Sequence, residues 1–232
     1  MMSLTQRSDA AELMDTDCTD DADYAACLAD LARVNTVTLA RRPTLAFLDR
    51  AMRDRALGEA LSVFDVAHGH GDMMRTIARW AARRGRPVRL GGVDLNPAAA
   101  AAAHAASPGL ALDLAQGDVL AHVPAGQWDY VVCSLFTHHL TDGQVVAFLR
   151  WMEATAERGW FVNDLHRHVV PYLGFRVLAW AMRWHRFVRH DGPVSIARAF
   201  RRADWQRLLA EAGVPGEVRW RFPFRLCVSR LK

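Results

Sequence analysis

Apart from Lys232 the chain has no lysine, so almost all of its positive charge is arginine. Its four cysteines, Cys18, Cys27, Cys133 and Cys227, are far apart and form no C-x-x-C pair, which argues against a zinc ribbon and a disulfide framework. No apolar signal-type segment follows a basic start, and a reducing cytoplasm is the expected compartment. Long hydrophobic runs are missing too. The longest, around residues 169–188, is broken by Arg176, Arg183, His185 and Arg186, too many charges for a span of about 20 apolar residues. The phosphate loop G-x-x-x-x-G-K-[ST] is absent, and a dinucleotide G-x-G-x-x-G fails because Ala67, Gly69 and Asp72 stand where three glycines are needed.

What is present is an ordinary globular composition, 51% hydrophobic and 23% charged over 232 residues, enough for one generous domain with a real core. The net charge of +4 hides an asymmetry: residues 1–30 hold eight acids against Arg7 alone, so the remainder is strongly basic. Those arginines are scattered through helical patterns and not aligned in a stripe with interleaved aromatics, which reads as a solvated surface and not as a nucleic-acid face.

Residues 1–22 are polar and without apolar period, and predict a flexible acidic arm. Residues 23–60 predict helices, one with Tyr24, Leu28, Leu31 and Val34 on a face and one after Pro43 with Leu45, Phe47, Leu48 and Met52. From residue 61 to 232 short apolar runs alternate with helical patterns: strands at 61–66, 88–93, 110–115, 130–135 and 160–162, helices at 72–84, 97–106 and 143–156. That alternation implies βαβ units and a parallel sheet covered on both faces. An insertion at about 165–194 contains one apolar helix over 172–188, and a helix over 195–212 ends at Gly213. Two final strands, 217–220 and 224–229, form a hairpin.

The run Asp65-Val66-Ala67-His68-Gly69-His70-Gly71-Asp72 is a strand passing through a small-residue turn into a helix, which in a parallel sheet lies at the ligand-binding carboxyl edge. It resembles motif I of class I S-adenosylmethionine-dependent methyltransferases. Gly92-Val93-Asp94-Leu95-Asn96-Pro97, Gln116-Gly117-Asp118-Val119 and Asp129-Tyr130-Val131-Val132-Cys133-Ser134-Leu135 resemble the motifs that follow it. With His138-His139-Leu140, Asn163-Asp164-Leu165-His166-Arg167 and Arg189-His190-Asp191-Gly192-Pro193, the chain is particularly similar to a bacterial, ubiquinone/menaquinone-biosynthesis-like subgroup with members in natural-product pathways. The resemblance implies a Rossmann-like α/β fold with a central, mostly parallel seven-stranded sheet, a C-terminal antiparallel hairpin, a helical N-terminal extension and a helical lid.

It also implies S-adenosyl-L-methionine as cofactor. The glycines Gly69 and Gly71 would let backbone approach the methionine part, Asp65 would organise the loop and the ammonium end, and Asp94 is placed to accept hydrogen bonds from ribose hydroxyls. Asp118 would meet the adenine amino group between Val119 and Leu95, with Ala67, His68, Asn96, Gly117, Ser134 and Leu135 completing the site. Ala67 departs from the family glycine, and its methyl group either crowds the cofactor and weakens binding or is tolerated if φ is negative there.

The expected reaction is methylation, chiefly of oxygen, of a small hydrophobic acceptor of aromatic or polyketide type. A histidine at the fourth or fifth strand end, His138, His139 or His166, would take the proton. Phe136, Asn163, Tyr172, Phe175 and Arg189 are the candidate substrate contacts. His68, His70, His138 and His139 have no convincing ligand spacing, and no metal is expected. The apolar helix reads equally as a lid over substrate and as a dimer interface. The alternatives are a methyltransferase-like fold that catalyses a cyclisation or rearrangement, and a non-catalytic cofactor-binding module; fold alone does not separate them.

Overall fold

The computed structural model describes residues 4–13 and 30–232. Residues 30–37 are helical, the tail of the first expected helix, whose residues 24–29 lie outside the described ones. Helix α1 (Arg42–Ala51) follows with Pro43 in its first turn, where a missing N–H does no harm. Then come β1 (Leu61–Val66), α2 (Asp72–Ala82), β2 (Val88–Asp94), α3 (Ala99–Ala105), β3 (Leu112–Gln116), β4 (Trp128–Ser134), α4 (Asp142–Thr155) and β5 (Ala156–Leu165). Helices α5 (Val169–Ala181), α6 (Arg186–Arg198) and α7 (Arg202–Ala212) precede β6 (Glu217–Arg221) and β7 (Arg225–Leu231).

The seven strands run in the order β3-β2-β1-β4-β5-β7-β6. The first five are parallel, and β7 pairs antiparallel with both β5 and β6. The chain leaves β1 for β2 on one side and returns to β4 on the other, so a crevice opens at the carboxyl ends of β1, β2 and β4. Successive strand residues point to opposite faces. Phe64, Val131 and Val162 meet Phe148, Leu149 and Trp205 on one side; Val63, Val132 and Phe161 meet Phe47, Ile77 and Trp80 on the other. Burial on both faces is what near-continuous apolar strands require.

Three expectations need correction. The apolar helix over 172–188 is two helices, α5 and α6, because Arg183 turns left-handed at φ 51° and His185 Nδ1 accepts the Phe187 N–H to start the second. The helix over 195–212 is also broken: Ala199 is extended, its carbonyl accepts from buried Arg167 Nε at 3.0 Å, and Phe200 pairs with His166. Third, residues 4–13 belong to the expected flexible arm yet lie docked. Arg167 Nη1 donates to the carbonyls of Leu4 and Thr5, Arg7 Nε donates to Arg198 O at 2.8 Å and its guanidinium stacks 3.9 Å over Phe200. The last turn of α7 does end on left-handed Gly213, as its sequence position requires.

Candidate active site

A cavity of about 770 Å³ opens at the carboxyl edge of the sheet. Its floor is the loop after β1. Asp65, Ala67, His68 and Gly69 line it, with Asp94 and Asn96 from β2 and Ser134 and Leu135 from β4. Asp94 ties two loops together: its Oδ2 accepts the Gly69 N–H at 2.8 Å and its Oδ1 the Asn96 N–H at 2.9 Å. Each oxygen keeps a second lone pair for a ligand hydroxyl. Gly69 is left-handed at φ 52°, and a Cβ built there would meet nothing within 4 Å, so the loop leaves open space. Ala67 is left-handed too, at φ 56°. The condition for tolerating a methyl group there is therefore not met, and the loop holds local strain.

Asp65 is buried at the end of β1, and burial, with Asp94 and Asp72 nearby, pushes its carboxyl well above the usual carboxylate range. A buried acid whose charged neighbours are acids favours a cation, such as an ammonium or sulfonium group. Burial lowers the pKa of both His68 and His70; the buried Nε2 of His68 has no hydrogen-bond partner. The residues thus fit S-adenosylmethionine: a cationic end at Asp65, a vicinal diol at Asp94, and open backbone at Gly69. Leu95 and Asp118 are exposed around the rim, Gly117 is half-buried there, and Val119 is buried in the core beneath it; these four do not line the cavity. Asp118 Oδ1 accepts the Leu120 N–H, which shapes the turn after β3. Gly71 caps α2 in the left-handed conformation.

Opposite the loop stand His138 and His139, on a 3-10 turn after β4. His138 is buried, and its Nδ1 lies 2.7 Å from Asp164 Oδ1. Asp164 also accepts the His138 N–H at 2.9 Å, the Leu165 N–H at 2.7 Å and the Thr137 hydroxyl. Burial alone would raise the Asp164 pKa, but the charge of His138 and these hydrogen bonds outweigh it and hold the carboxyl down to about 2. Asp164 on Nδ1 fixes the ring's orientation, so that in the neutral form the proton sits on Nδ1 and the lone pair on Nε2, the nitrogen that faces Glu12. Glu12 of the docked arm faces the pair, its Oε1 3.7 Å from His138 Nε2 and its Oε2 4.0 Å from His139 Nε2. Ser195 donates to Glu12 Oε1 at 2.9 Å. Among the described residues this trio is also the group whose metal-ligand-type atoms lie within 4.8 Å of one another.

The roof is made by α5 and α6. Val170, Gly174, Phe175 and Leu178 face the cavity from α5, and Val188, Gly192 and Ile196 from α6. The two helices touch at Gly192, where a Cβ would fall 2.0 Å from the Phe175 ring. Of the remaining expected contacts, the structure brings Phe175 to the cavity and leaves others elsewhere. Tyr172 is buried against Ile196 and Ala197, and Phe136 packs edge-on against Phe148. Arg189 is exposed on the far side of α6. Asn163 is fully buried and serves the fold: its Nδ2 donates to Ala40 O and Ser134 Oγ at 2.8 and 2.9 Å. His166 stands apart from the other two histidines. It is hydrogen-bonded through its backbone to Phe224 and sits among His168, Arg201, Arg202 and Arg167, which add to burial in lowering its pKa.

Sequence reading missed four groups that shape this site. Glu12 was hidden in an acidic stretch without periodicity. Asp164, and Asp191, which lines the cavity and whose Oδ1 accepts the Leu13 N–H of the docked arm at 2.8 Å, lie inside quoted motifs but next to more conspicuous histidines and arginines. Arg225, which lines the cavity from the start of β7, has only its neighbouring Pro223 as a local signal.

Residues 63–159 match the family described as Methyltransferase domain, and such a domain implies S-adenosylmethionine as its cofactor. A search of curated proteins by sequence finds no match. Among solved structures, the plantazolicin methyltransferase BpumL in complex with SAH superposes with a TM-score of 0.69 at 10% identity, covering 95% of this chain and 92% of that one. Magnesium protoporphyrin IX methyltransferase from Synechocystis PCC 6803 with bound SAH gives 0.54 at 15% identity, with 84% of each chain covered. A structure titled a pericyclic reaction enzyme gives 0.57 at 15% identity over 80% of this chain; the chain spans about half the length of that enzyme, 47%. The seven-stranded sheet with its antiparallel end therefore has the Rossmann-like fold seen in class I methyltransferases, and residues 63–159 match the methyltransferase-domain model.

Proposed function

We propose that the chain is an S-adenosylmethionine-dependent methyltransferase whose acceptor is a small, largely apolar molecule of aromatic or polyketide type, methylated on oxygen. The observation that carries this reading is the single cavity that joins Asp65, Gly69 and Asp94 to His138 and His139 under an apolar roof. Bound along the β1 loop, S-adenosylmethionine supplies an electrophilic methyl group. Asp65 holds the cationic end and Asp94 the ribose, while the roof excludes water. His138 is the base: its Nε2 takes the hydroxyl proton as the oxygen attacks, and Asp164 stabilises the imidazolium that results. Glu12, on the far side of Nε2, favours the same charged form. His139, its ring tilted 36° to that of His138 with centroids 4.4 Å apart, completes the wall and His166 takes no part.

The test is incubation of the full chain with S-adenosylmethionine and a panel of phenols, enols and carboxylic acids, with S-adenosylhomocysteine and methylated product quantified together. Replacing His138 by alanine should cut turnover by about 10² to 10⁴-fold while S-adenosylhomocysteine still binds. A second reading, a methyltransferase-like fold that catalyses cyclisation or rearrangement, is favoured by the likeness to the pericyclic reaction enzyme. It predicts cofactor binding, an isomerised substrate and no S-adenosylhomocysteine release.

A further inference from the structure

The cavity is not electrically uniform. Of its acids, Asp65, Asp72 and Asp94 gather at the cofactor loop, while Glu12 and Asp191 are tied to one another's elements, Glu12 to Ser195 of α6 and Asp191 to the Leu13 N–H. At the start of β7, opposite Leu165 of β5, lies Arg225, only 2% exposed. Its Nη2 donates to Thr38 Oγ1 at 3.1 Å, whereas Nε and Nη1 are buried with no hydrogen-bond partner. A guanidinium keeps its charge in proteins, so burial does not neutralise it. Burial does depress its pKa; the charges that oppose this are Asp164 and Cys227. Asp164 is already engaged by His138, Thr137 and Leu165, and the Cys227 thiol is itself pushed up to about 12 by burial, hence neutral. The other arginines of this region are spent on the protein: Arg167 is saturated by Ala199, Leu4, Thr5 and Asp204. Arg41 is bonded to Asp72.

From this we infer that Arg225 is the anion-recognising group of the acceptor site, and that the acceptor carries a carboxylate on an apolar body. Phe222, Pro223 and Phe224 of the same turn line the cavity beside it and would pack against that body. A buried cation with free donors binds a planar oxyanion strongly, because ligand and protein each remove the other's desolvation penalty. The two ends of the cavity then select opposite charges, a cationic cofactor at Asp65 and an anionic acceptor at Arg225, which fixes the acceptor's orientation. This inference rests on reading the roofed space as the acceptor site.

The test uses the full chain saturated with S-adenosylhomocysteine. Three probes are titrated: 2-naphthoate, its neutral analogue naphthalene-2-carboxamide, and the neutral apolar dye N-phenyl-1-naphthylamine. Naphthoate should displace the dye and bind at least about tenfold tighter than the carboxamide, the discrimination expected of a charged hydrogen bond. Arg225→Met should abolish that preference and Arg225→Lys retain part of it, with dye and S-adenosylhomocysteine affinity unchanged in both. Equal binding of acid and amide to the unaltered chain would overturn the inference, as would a preference that survives in Arg225→Met. A fall in S-adenosylhomocysteine affinity in either variant would also overturn it, by assigning Arg225 to the cofactor's own carboxylate. Dye that fails to bind at all would instead remove the acceptor-site reading beneath it. Arg225→Lys keeps the comparison available if the methionine variant does not fold.

Discussion

Replacing Asp164 by asparagine tests a fully buried carboxylate that accepts four hydrogen bonds. The substitution preserves shape but removes a buried charge and turns one of two acceptor oxygens into a donor. Asp164 accepts from His138 Nδ1, from the N–H groups of His138 and Leu165, and from the Thr137 hydroxyl. Its pKa falls from an ordinary 3.8 to about 2. At about 1.4 kcal/mol per pH unit, that difference contributes about 2 kcal/mol of stability at neutral pH. Because the folded pKa is depressed, the contribution is present above pH 4 and is lost as pH falls through 2. Unfolding in urea at pH 7 should therefore show Asp164→Asn destabilised by about 2 kcal/mol or more, with the gap to the unaltered protein closing between pH 4 and pH 2. The amide should also reverse the His138 tautomer, placing the proton on Nε2 and abolishing its use as a base, so turnover falls while S-adenosylhomocysteine still binds. Equal stability at pH 7, or a gap that does not change with pH, would refute the assignment of a buried ionised carboxylate.

Other substitutions read the cofactor loop. Asp94→Ala removes the acceptor of the Gly69 and Asn96 N–H groups along with the proposed ribose contact, and calorimetric titration should show S-adenosylhomocysteine binding lost. In Gly92→Ala the new methyl would lie 2.4 Å from the Asp65 carbonyl and 2.6 Å from Met74 Cε, with no freedom for the backbone atom to yield. It should cost about 1–3 kcal/mol and lower the melting temperature by several degrees, and a melting temperature that does not move would contradict the packing described. Ala67→Gly should act in the opposite sense. Relief of a left-handed alanine, worth about 1–2 kcal/mol, exceeds the roughly 0.5–1 kcal/mol of added unfolded-state freedom, so the melting temperature should rise slightly.

The sheet was legible because its evidence is local. Runs such as Val63 to Val66 and Tyr130 to Ser134, each followed by a helical pattern, fix a parallel strand without reference to the rest of the chain. Asp65, Gly69 and Asp94 were legible for the same reason, since they sit at the ends of those runs. Breaks at Arg183 and Ala199 were not: both interrupt sequences with good helical spacing, and the second is held open by Arg167, 32 residues earlier. Glu12 and Arg225 were hidden by distance as well. Nothing near Glu12 announces a partner 126 residues away at His138, and Arg225 resembles any other strand arginine until the packing buries it. Local pattern therefore reports the half of the cavity formed by the strand ends, and long-range packing decides the half that faces it.

The docking of residues 4–13 has a consequence for how the protein is made. Glu12 leaves the ribosome long before Ser195, whose hydroxyl it accepts, and Arg7 before Arg198, whose carbonyl it holds. Arg7 also donates to Asp142 Oδ1 and Leu140 O, and Arg167 to Leu4 O and Thr5 O, partners made before α6, whereas the Ser195 hydroxyl that holds Glu12 against the histidines comes only with α6. The loop after β1 is thus complete in sequence more than a hundred residues before the serine that fixes Glu12 beside His138 has been made.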